Sequence, residues 1–243
     1  MTDKNTIEYY DDFAGWYERE RGHGYHAMLD ALELDVIREP SAGRDVLEVG
    51  AGTGLIMKGL SGTVKKLVGL DISRGMLKTA SERGFDVVQG SATALPFEDE
   101  QFDLVYSFKV LAHIPDIEGA LSEMSRVLRP DGMLIAEFYN AHSIRNLAKR
   151  FGGPGDISAS RTEADVFCRW DTPAKILRYL PPDVKFEGWR GVRVFTPAAA
   201  AFKLPGINAI LPAIERRALN SRLARFGGFL IAVCRKRRMP EPA

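Results

Sequence analysis

A glycine-rich segment directly after an apolar run constrains the fold more than any other feature of the chain. Residues 46–54 read Val-Leu-Glu-Val-Gly-Ala-Gly-Thr-Gly, and a helical pattern follows. Glycine lets the backbone turn sharply and lets a ligand approach without meeting a Cβ atom, while the following helix presents free N–H groups. The segment therefore predicts a strand, a ligand-binding loop and a helix in that order.

Short apolar runs alternate with helical patterns through the first 140 residues. Ser73 and Asp116 are good N-cap residues, and each precedes a predicted helix. Alternating strands and helices predict an α/β fold, here a Rossmann-like seven-stranded, mostly parallel sheet with helices on both faces. The first five strands are predicted at residues 45–50, 66–71, 85–89, 102–108 and 132–138.

Further elements are predicted on both sides of this core. Two N-terminal helices are expected at residues 7–19 and 25–38, a short helix at 173–180, and strands six and seven at 185–196 and 228–235. Prolines 197, 205 and 212 should break the segment between the last two strands into short helices. We expect one domain over 1–243, with a helical cap at 1–40, a core at 41–140, and elaborations at 141–184, after strand five, and at 197–226.

Charge is distributed unevenly along the chain. Residues 1–138 carry 14 Lys and Arg against 24 Asp and Glu, whereas residues 139–243 carry 19 against 8. The basic part is either a solvated surface or a surface for anionic groups, and the arginines at 216, 217, 222 and 225 allow peripheral contact with a membrane. Nucleic acid is disfavoured because these residues are dispersed and no recognised motif accompanies them.

Only two cysteines are present, at positions 168 and 234, and their separation matches no metal or redox motif. The first twelve residues are acidic and lack the apolar core of a signal peptide, and no apolar run is long enough to span a membrane. We therefore expect a cytoplasmic protein without a disulfide scaffold or a metal ion. Oligomeric state cannot be read from the sequence.

Asp71 ends the second predicted strand, 21 residues after Gly50. A carboxylate at this position can accept both hydroxyl groups of a ribose, which places an adenosine-containing ligand across neighbouring strand ends. Alternatively, Asp71 caps the helix that follows it. The loop by itself would also suit NAD, although the usual G-x-G-x-x-G spacing is not met because Gly54 comes one position early.

Several further motifs follow in a fixed order: residues 90–97 (GSATALPF), 102–105 (FDLV), 111–114 (LAHI) and 126–132 (RVLRPDG). Together with the glycine loop and Asp71, they resemble the class I S-adenosylmethionine (SAM)-dependent methyltransferase family, the type that includes quinone-biosynthesis and malonyl-carrier methyltransferases. The resemblance extends from about residue 9 to residue 138. It implies SAM as the cofactor and methyl transfer to a small molecule as the activity.

The resemblance also implies roles for individual residues. Gly50, Ala51 and Gly52 would contact the methionine portion of SAM, and Glu48 would orient the loop or meet the ammonium group. Asp71 would bind the ribose and Ile72 would pack on the adenine. The remaining implied contacts are Ser91 and Ala92 at the adenine edge, the Phe108 carbonyl near the ammonium group, and Tyr17 closing over the cofactor.

Methyl transfer from a sulfonium needs a near-attack geometry more than a chemical catalyst. Where the acceptor must lose a proton, the candidate bases are His113, His142 and Tyr139, followed by His23 and His26. His113 and His142 each have a purely structural alternative role. Two other functions remain open: an NAD-dependent oxidoreductase that uses the same loop, and a non-catalytic SAM-binding module.

Overall fold

The described part of the chain carries the complete predicted sheet. The computed structural model describes residues 24–152, 156–158, 161–162, 167–196, 202 and 206–238. The predicted first helix at 7–19, with Tyr17, lies outside the described residues, and so does His23.

A seven-stranded mixed sheet forms the centre of the fold, as predicted. The strand order is β3-β2-β1-β4-β5-β9-β8; β1 to β5 are parallel, and β9 runs antiparallel to both of its neighbours. The strands are β1 (Asp45–Val49), β2 (Lys66–Asp71), β3 (Asp86–Gln89), β4 (Phe102–Ser107), β5 (Leu128–Tyr139), β8 (Val184–Val192) and β9 (Phe229–Lys236). A separate two-stranded ribbon consists of β6 (Asp156–Ser158) and β7 (Arg161–Thr162).

Helices cover both faces of the sheet, so each face has its own apolar core. On one face α4 and α6 pack against Leu47, Val105 and Leu134; on the other, α1, α2 and α7 pack against Val46, Leu104 and Ile135. The helices are α1 (Gly24–Ser41), α2 (Leu55–Leu60), α3 (Arg74–Glu82), α4 (Ile117–Arg126), α5 (Ile144–Gly152), α6 (Pro173–Tyr179) and α7 (Ile207–Ala218), with 3₁₀ turns at Leu111–His113 and Arg222–Phe226.

The predicted capping residues open their helices. Ser73 accepts a hydrogen bond from the backbone N–H of Met76, and Asp116 accepts one from that of Gly119. No helix among the described residues is long and apolar enough to cross a membrane.

Three predicted boundaries were wrong. Strand β5 begins at Leu128, four residues before the predicted start. Asp131 adopts a left-handed φ of 65°, and the register with β4 shifts here, so that residues on both sides of the turn pair with β4. Strand β8 ends at Val192 and not at residue 196, and Arg193 has a φ of 65°. Pro212 does not end a helix: it is the sixth residue of α7, which continues to Ala218 although proline cannot donate to the carbonyl of Asn208.

The chain order places a ligand site at the carboxyl edge of the sheet. Strands β1, β2 and β3 extend in one direction, and the chain then returns to place β4 on the other side of β1. Loops after β1 and β4 therefore leave the sheet in opposite directions and open a crevice between them. The glycine loop and Phe108 both lie at this switch point.

Asn140 connects the end of β5 to the residues before β9. It is fully buried, and its side-chain amide donates to the carbonyl oxygens of Arg225 (2.8 Å) and Gly227 (2.9 Å). Its Oδ1 atom accepts from the backbone N–H of His142 at 3.0 Å. These bonds fix the exit of β5, where the chain turns toward α5.

We expect Asn140→Asp to lower the free energy of unfolding by about 3 kcal/mol, because a carboxylate would face two carbonyl oxygens without a donor. Urea denaturation measures the change. Asn146→Asp is the matched control: its amide donates only to Ala141, at 2.9 Å, in the first turn of α5, so the loss should be about 1 kcal/mol or less. Equal losses in the two variants would contradict this role of Asn140.

Candidate cofactor-binding site

The glycine loop between β1 and α2 requires glycine by its conformation. Gly50, Gly52 and Gly54 have positive φ angles of 83°, 54° and 79°. A Cβ atom at Gly50 would lie 2.1 Å from Cγ2 of Val110, so this position also lacks room for a side chain. The loop thereby brings its backbone close to the residues that follow β4.

Four of the five N–H groups of this loop, those of Gly50, Ala51, Gly52 and Gly54, already donate within the protein. Those of Gly50 and Ala51 both donate to the carbonyl oxygen of Leu70, at 2.7 and 2.9 Å. That of Gly52 donates to Oδ2 of Asp71 at 2.9 Å. A phosphate-binding loop directs free N–H groups at its ligand. This loop is therefore poorly suited to a pyrophosphate.

Asp71 connects the loop to the next strand and helix. Its Oδ2 atom accepts the bond from Gly52, and its Oδ1 atom accepts from the backbone N–H of Ser73 at 2.9 Å. Ser73, not Asp71, provides the side-chain cap of α3. The structure thus contradicts the alternative in which Asp71 serves only as a helix cap. Its carboxylate lies at the end of β2, beside the glycine loop.

Glu48 lies on β1 two residues before the loop and is 2% exposed. The hydroxyl group of Tyr106 donates to its Oε2 atom at 2.8 Å. Burial raises the pKa of Glu48 to about 8, and the nearby carboxyl groups of Glu33 and Asp71 add to that increase. A cation placed beside Glu48 would favour its ionised form.

Lys109 follows Phe108 after β4 and has a left-handed φ of 62°. Its ammonium group lies 2.8 Å from Oδ1 of Asp30 and 2.5 Å from Oε2 of Glu33, both on α1. Its backbone N–H donates to Oε1 of Glu137 on β5 at 3.0 Å. Acidic groups thus surround this lysine and compensate its charge.

One pocket brings together five of the residues implied to bind the cofactor: Glu48, Gly50, Ala51, Gly52 and Phe108. It is open to solvent, and the empty space of about 330 Å³ includes part of that solvent. Asp71 is joined to this pocket by its bond to Gly52.

Ile72, Ser91 and Ala92 lie farther along the same edge and are not among the described lining residues of that pocket. All three are partly buried. The carbonyl group of Ile72 accepts from Nε2 of Gln89 at 3.1 Å, and the Ser91 hydroxyl lies 2.9 Å from that of Thr93. They are placed after β2 and β3, on the side of Asp71 away from Glu48.

Sequence reasoning missed four lining residues of the pocket. Thr53 lies in the loop itself, and its buried hydroxyl oxygen has no hydrogen-bond partner among the described residues. The others are Leu55 and Ile56, which begin α2 after the loop, and Lys109, which directly follows Phe108. The position of Thr53 was visible in the sequence, but the direction of its side chain depends on the left-handed loop.

The candidate bases fall into two environments. The His113 ring lies 2.8 Å from the carbonyl oxygen of Phe167 through Nδ1 and 3.4 Å from the Tyr139 hydroxyl through Nε2. Burial raises the pKa of Tyr139 to about 12, so this hydroxyl stays protonated at neutral pH and acts as a donor. His142 is exposed after β5, and His26 lies on α1 against the Tyr25 ring.

Known proteins point to one family. The family described as a methyltransferase domain matches residues 47–136. Demethylmenaquinone methyltransferase of Renibacterium salmoninarum is 42% identical over 99 residues, which are 40% of this chain and 42% of that protein. Residues 47–136 therefore match a methyltransferase domain, in agreement with the family that the motifs predicted. The aligned segment spans less than half of that relative's length.

Solved structures extend the likeness of the fold to almost the whole chain. A SAM-dependent methyltransferase of Thermotoga maritima is 20% identical, with a TM-score of 0.66 over 94% of this chain and 98% of that one. The cyclase SpnF is 19% identical, with a TM-score of 0.69 over 98% of each chain. At such low identity the likeness concerns the fold alone. The same fold evidently carries proteins described by different reactions.

We expect Asp71→Ala to weaken SAM binding at least tenfold, or about 1.4 kcal/mol, because a ribose would lose charge-assisted hydrogen bonds and the loop would lose its bond at Gly52. Titration calorimetry measures the affinity. Asp86→Ala is the control. Asp86 begins β3, at the edge of the sheet away from Asp71 and the glycine loop, so this variant should bind SAM normally. An unchanged affinity of Asp71→Ala would contradict the assignment.

The buried carboxyl group of Glu48 should make stability depend on pH. The folded state keeps this proton up to about pH 8, whereas the unfolded chain releases it near 4.5, so the folded state binds more protons between these values. The free energy of unfolding must therefore fall as pH rises through this window, by up to about 1.4 kcal/mol per pH unit for this group.

Glu48→Gln removes that contribution, so the variant should gain stability relative to the wild type as pH increases from 5 to 8. Urea denaturation of both proteins at pH 5, 6, 7 and 8 gives the comparison. Parallel profiles would show that Glu48 ionises normally in the folded state.

Proposed function

We propose that this protein is an enzyme that transfers the methyl group of SAM to a small-molecule acceptor by in-line displacement. The observation that carries the proposal is the pocket at the switch point, built by the glycine loop and Glu48 and joined to Asp71. SAM bears an ammonium group and a sulfonium centre, so its charge suits this pocket. The match of residues 47–136 to a methyltransferase domain supports the same cofactor.

The residues present fit SAM in three respects. Glu48 is buried beside the loop, where it can accept from an ammonium group. Asp71 lies where a ribose would meet it, and Thr53 offers a buried hydroxyl without a partner among the described residues. Ile72, Ser91 and Ala92 continue the edge on the adenine side. When bound, SAM supplies an activated methyl group, so the protein's part is to hold the acceptor in line with it.

An NAD-dependent oxidoreductase is disfavoured by the same geometry. The N–H groups that would face a pyrophosphate already donate to Leu70 and Asp71. Glu48 and Asp71 would also repel its negative charge once ionised. A non-catalytic SAM-binding protein stays an alternative, because the pocket explains cofactor binding and not the acceptor reaction.

We place the acceptor beyond the ends of β4 and β5, where the chain departs from the shared core. Residues 141–184 and 197–226 are the proposed acceptor-side elaborations of a single domain with the cap at 1–40. His113 is our proposed base where one is needed: if its Nδ1–H donates to Phe167, Nε2 is the accepting nitrogen, and an acceptor proton would take the place that the Tyr139 hydroxyl now holds. No metal ion enters the proposal.

The cell compartment and partners are also proposals. Cys168 and Cys234 are not joined by a disulfide, which fits the reducing cytoplasm. Of the arginines considered for membrane contact, Arg216 binds Asp35 on α1 at 2.5 Å, so part of that charge is neutralised within the protein. We therefore favour a small-molecule acceptor over a membrane-surface or nucleic-acid partner.

We expect the protein to bind SAM and to transfer a labelled methyl group from it into a fractionated extract of small molecules. Asp71→Ala should lose most of this transfer, and Asp86→Ala should keep it. NADH, titrated by its fluorescence, should not bind. SAM binding without transfer into any fraction would favour the non-catalytic alternative, and NADH binding without SAM binding would favour the oxidoreductase.

A further inference from the structure

Arg145, the second residue of α5, has its guanidinium group enclosed by aromatic rings. The central carbon lies 4.5 Å from the ring centre of Tyr139, 4.6 Å from that of Phe229 and 4.9 Å from that of Trp170. Cations interact favourably with the faces of such rings. The rings therefore hold the side chain in one place, and only 7% of the residue is exposed.

The hydrogen-bonding groups of this arginine are incompletely used. Its Nε and Nη1 atoms are buried, and neither has a hydrogen-bond partner among the described residues. Buried polar groups are almost always paired, and an unpaired donor on a charged group is costly. Because N–H bonds lie in the guanidinium plane, an oxygen atom that approaches in this plane would satisfy them while the rings stay in place.

Among the described residues, no carboxylate lies within ion-pair distance of the Arg145 guanidinium group. The carboxyl group of Glu137 lies close enough for Arg145 to act on it, but burial and Glu33 raise its pKa well above the usual range. Arg145 also lies in the first turn of α5, where the helix macrodipole is positive. The Lys149 ammonium group lies 5.6 Å from the same Trp170 ring and adds to the positive potential.

A second buried polar group lies within reach of this charge. The Tyr25 hydroxyl, on α1, has no hydrogen-bond partner among the described residues, and the charges of Arg145 and Arg193 act on it. Arg193 lies over the Tyr25 ring at 5.3 Å. Two sets of unused polar atoms, from α1 and α5, therefore lie on the same side of the sheet.

A chain of neighbouring residues connects this group to the cofactor pocket. Tyr139 ends β5 two residues after Glu137, whose side chain accepts from the backbone N–H of the pocket residue Lys109. The Tyr139 hydroxyl in turn lies 3.4 Å from His113. A ligand beside Arg145 would thus lie next to our proposed base and along the edge from the methyl donor.

We propose that Arg145 binds a carboxylate group of the methyl acceptor, so that the substrate of this enzyme is a small organic acid. A carboxylate is planar and negatively charged, and its oxygen atoms can meet the edge of a guanidinium group between the aromatic rings. The inference rests on the proposed function, because it assigns the acceptor of that same reaction.

The test compares benzoate with benzamide, which has nearly the same shape and no charge. Each compound is titrated by calorimetry, at constant ionic strength, into the protein saturated with S-adenosylhomocysteine, the product of methyl donation. We expect the wild type to bind benzoate at least about tenfold more tightly than benzamide. Arg145→Gln should lose this preference and should bind S-adenosylhomocysteine as the wild type does.

Arg225→Gln is the matched control, because Arg225 also contacts an aromatic ring, that of Phe226 at 4.8 Å, but has no part in this group of residues. It should keep the preference for benzoate. If Arg145→Gln does not fold, Arg145→Lys is tested in its place. Its preference for benzoate over benzamide should be at least about threefold smaller than that of the wild type, because an ammonium group lacks the planar edge.

Equal binding of benzoate and benzamide to the wild type overturns the inference, as does a preference that survives in the Arg145 variant. Failure of the wild type to bind S-adenosylhomocysteine counts instead against the proposed function. The two failures are therefore distinguishable in the same titration series.

Discussion

The Asp71 carboxylate joins three elements at the carboxyl edge of the sheet, and the site depends on this junction. Through Gly52 it holds the loop that leaves β1, and through Ser73 it holds the start of α3 at the end of β2. A short carboxylate can make both bonds only if the loop takes left-handed turns, which the glycines permit. The cofactor pocket is therefore formed largely by hydrogen bonds that the protein makes with itself.

The acidic side chains around this junction distinguish the site from other ligand sites at the same position in this topology. A glycine loop at a topological switch point suits several nucleotide ligands. Here Glu48 is buried beside the loop, and Lys109 is neutralised by Asp30 and Glu33. A cation in this pocket would favour the ionised form of Glu48. The likeness of the fold to both a methyltransferase and a cyclase shows why the local charges, and not the fold, must carry the functional argument.

Charge of the opposite sign gathers where β5 leads into α5. Arg145 is enclosed by rings from β5, β9 and the segment before α6, and Asn140 fixes the turn that delivers it there. The carboxyl edge thus has an acidic half near β1 and a basic half near β5, with Glu137 and Lys109 between them. Such a division suits a cationic donor beside an anionic acceptor, and it agrees with our two proposals.

The sequence by itself determined the α/β class, five strands to within a few residues, the N-caps Ser73 and Asp116, and the loop with Asp71. These follow from local patterns: apolar runs, capping side chains, and glycines that need left-handed angles. Only the tertiary structure decided that β5 begins early, that Pro212 lies within α7, and that Thr53 and Lys109 line the pocket. It also decided that Arg145, which looked like one of many basic residues, is buried among Tyr139, Trp170 and Phe229. These outcomes depend on contacts between residues far apart in the chain, whose geometry no local pattern encodes.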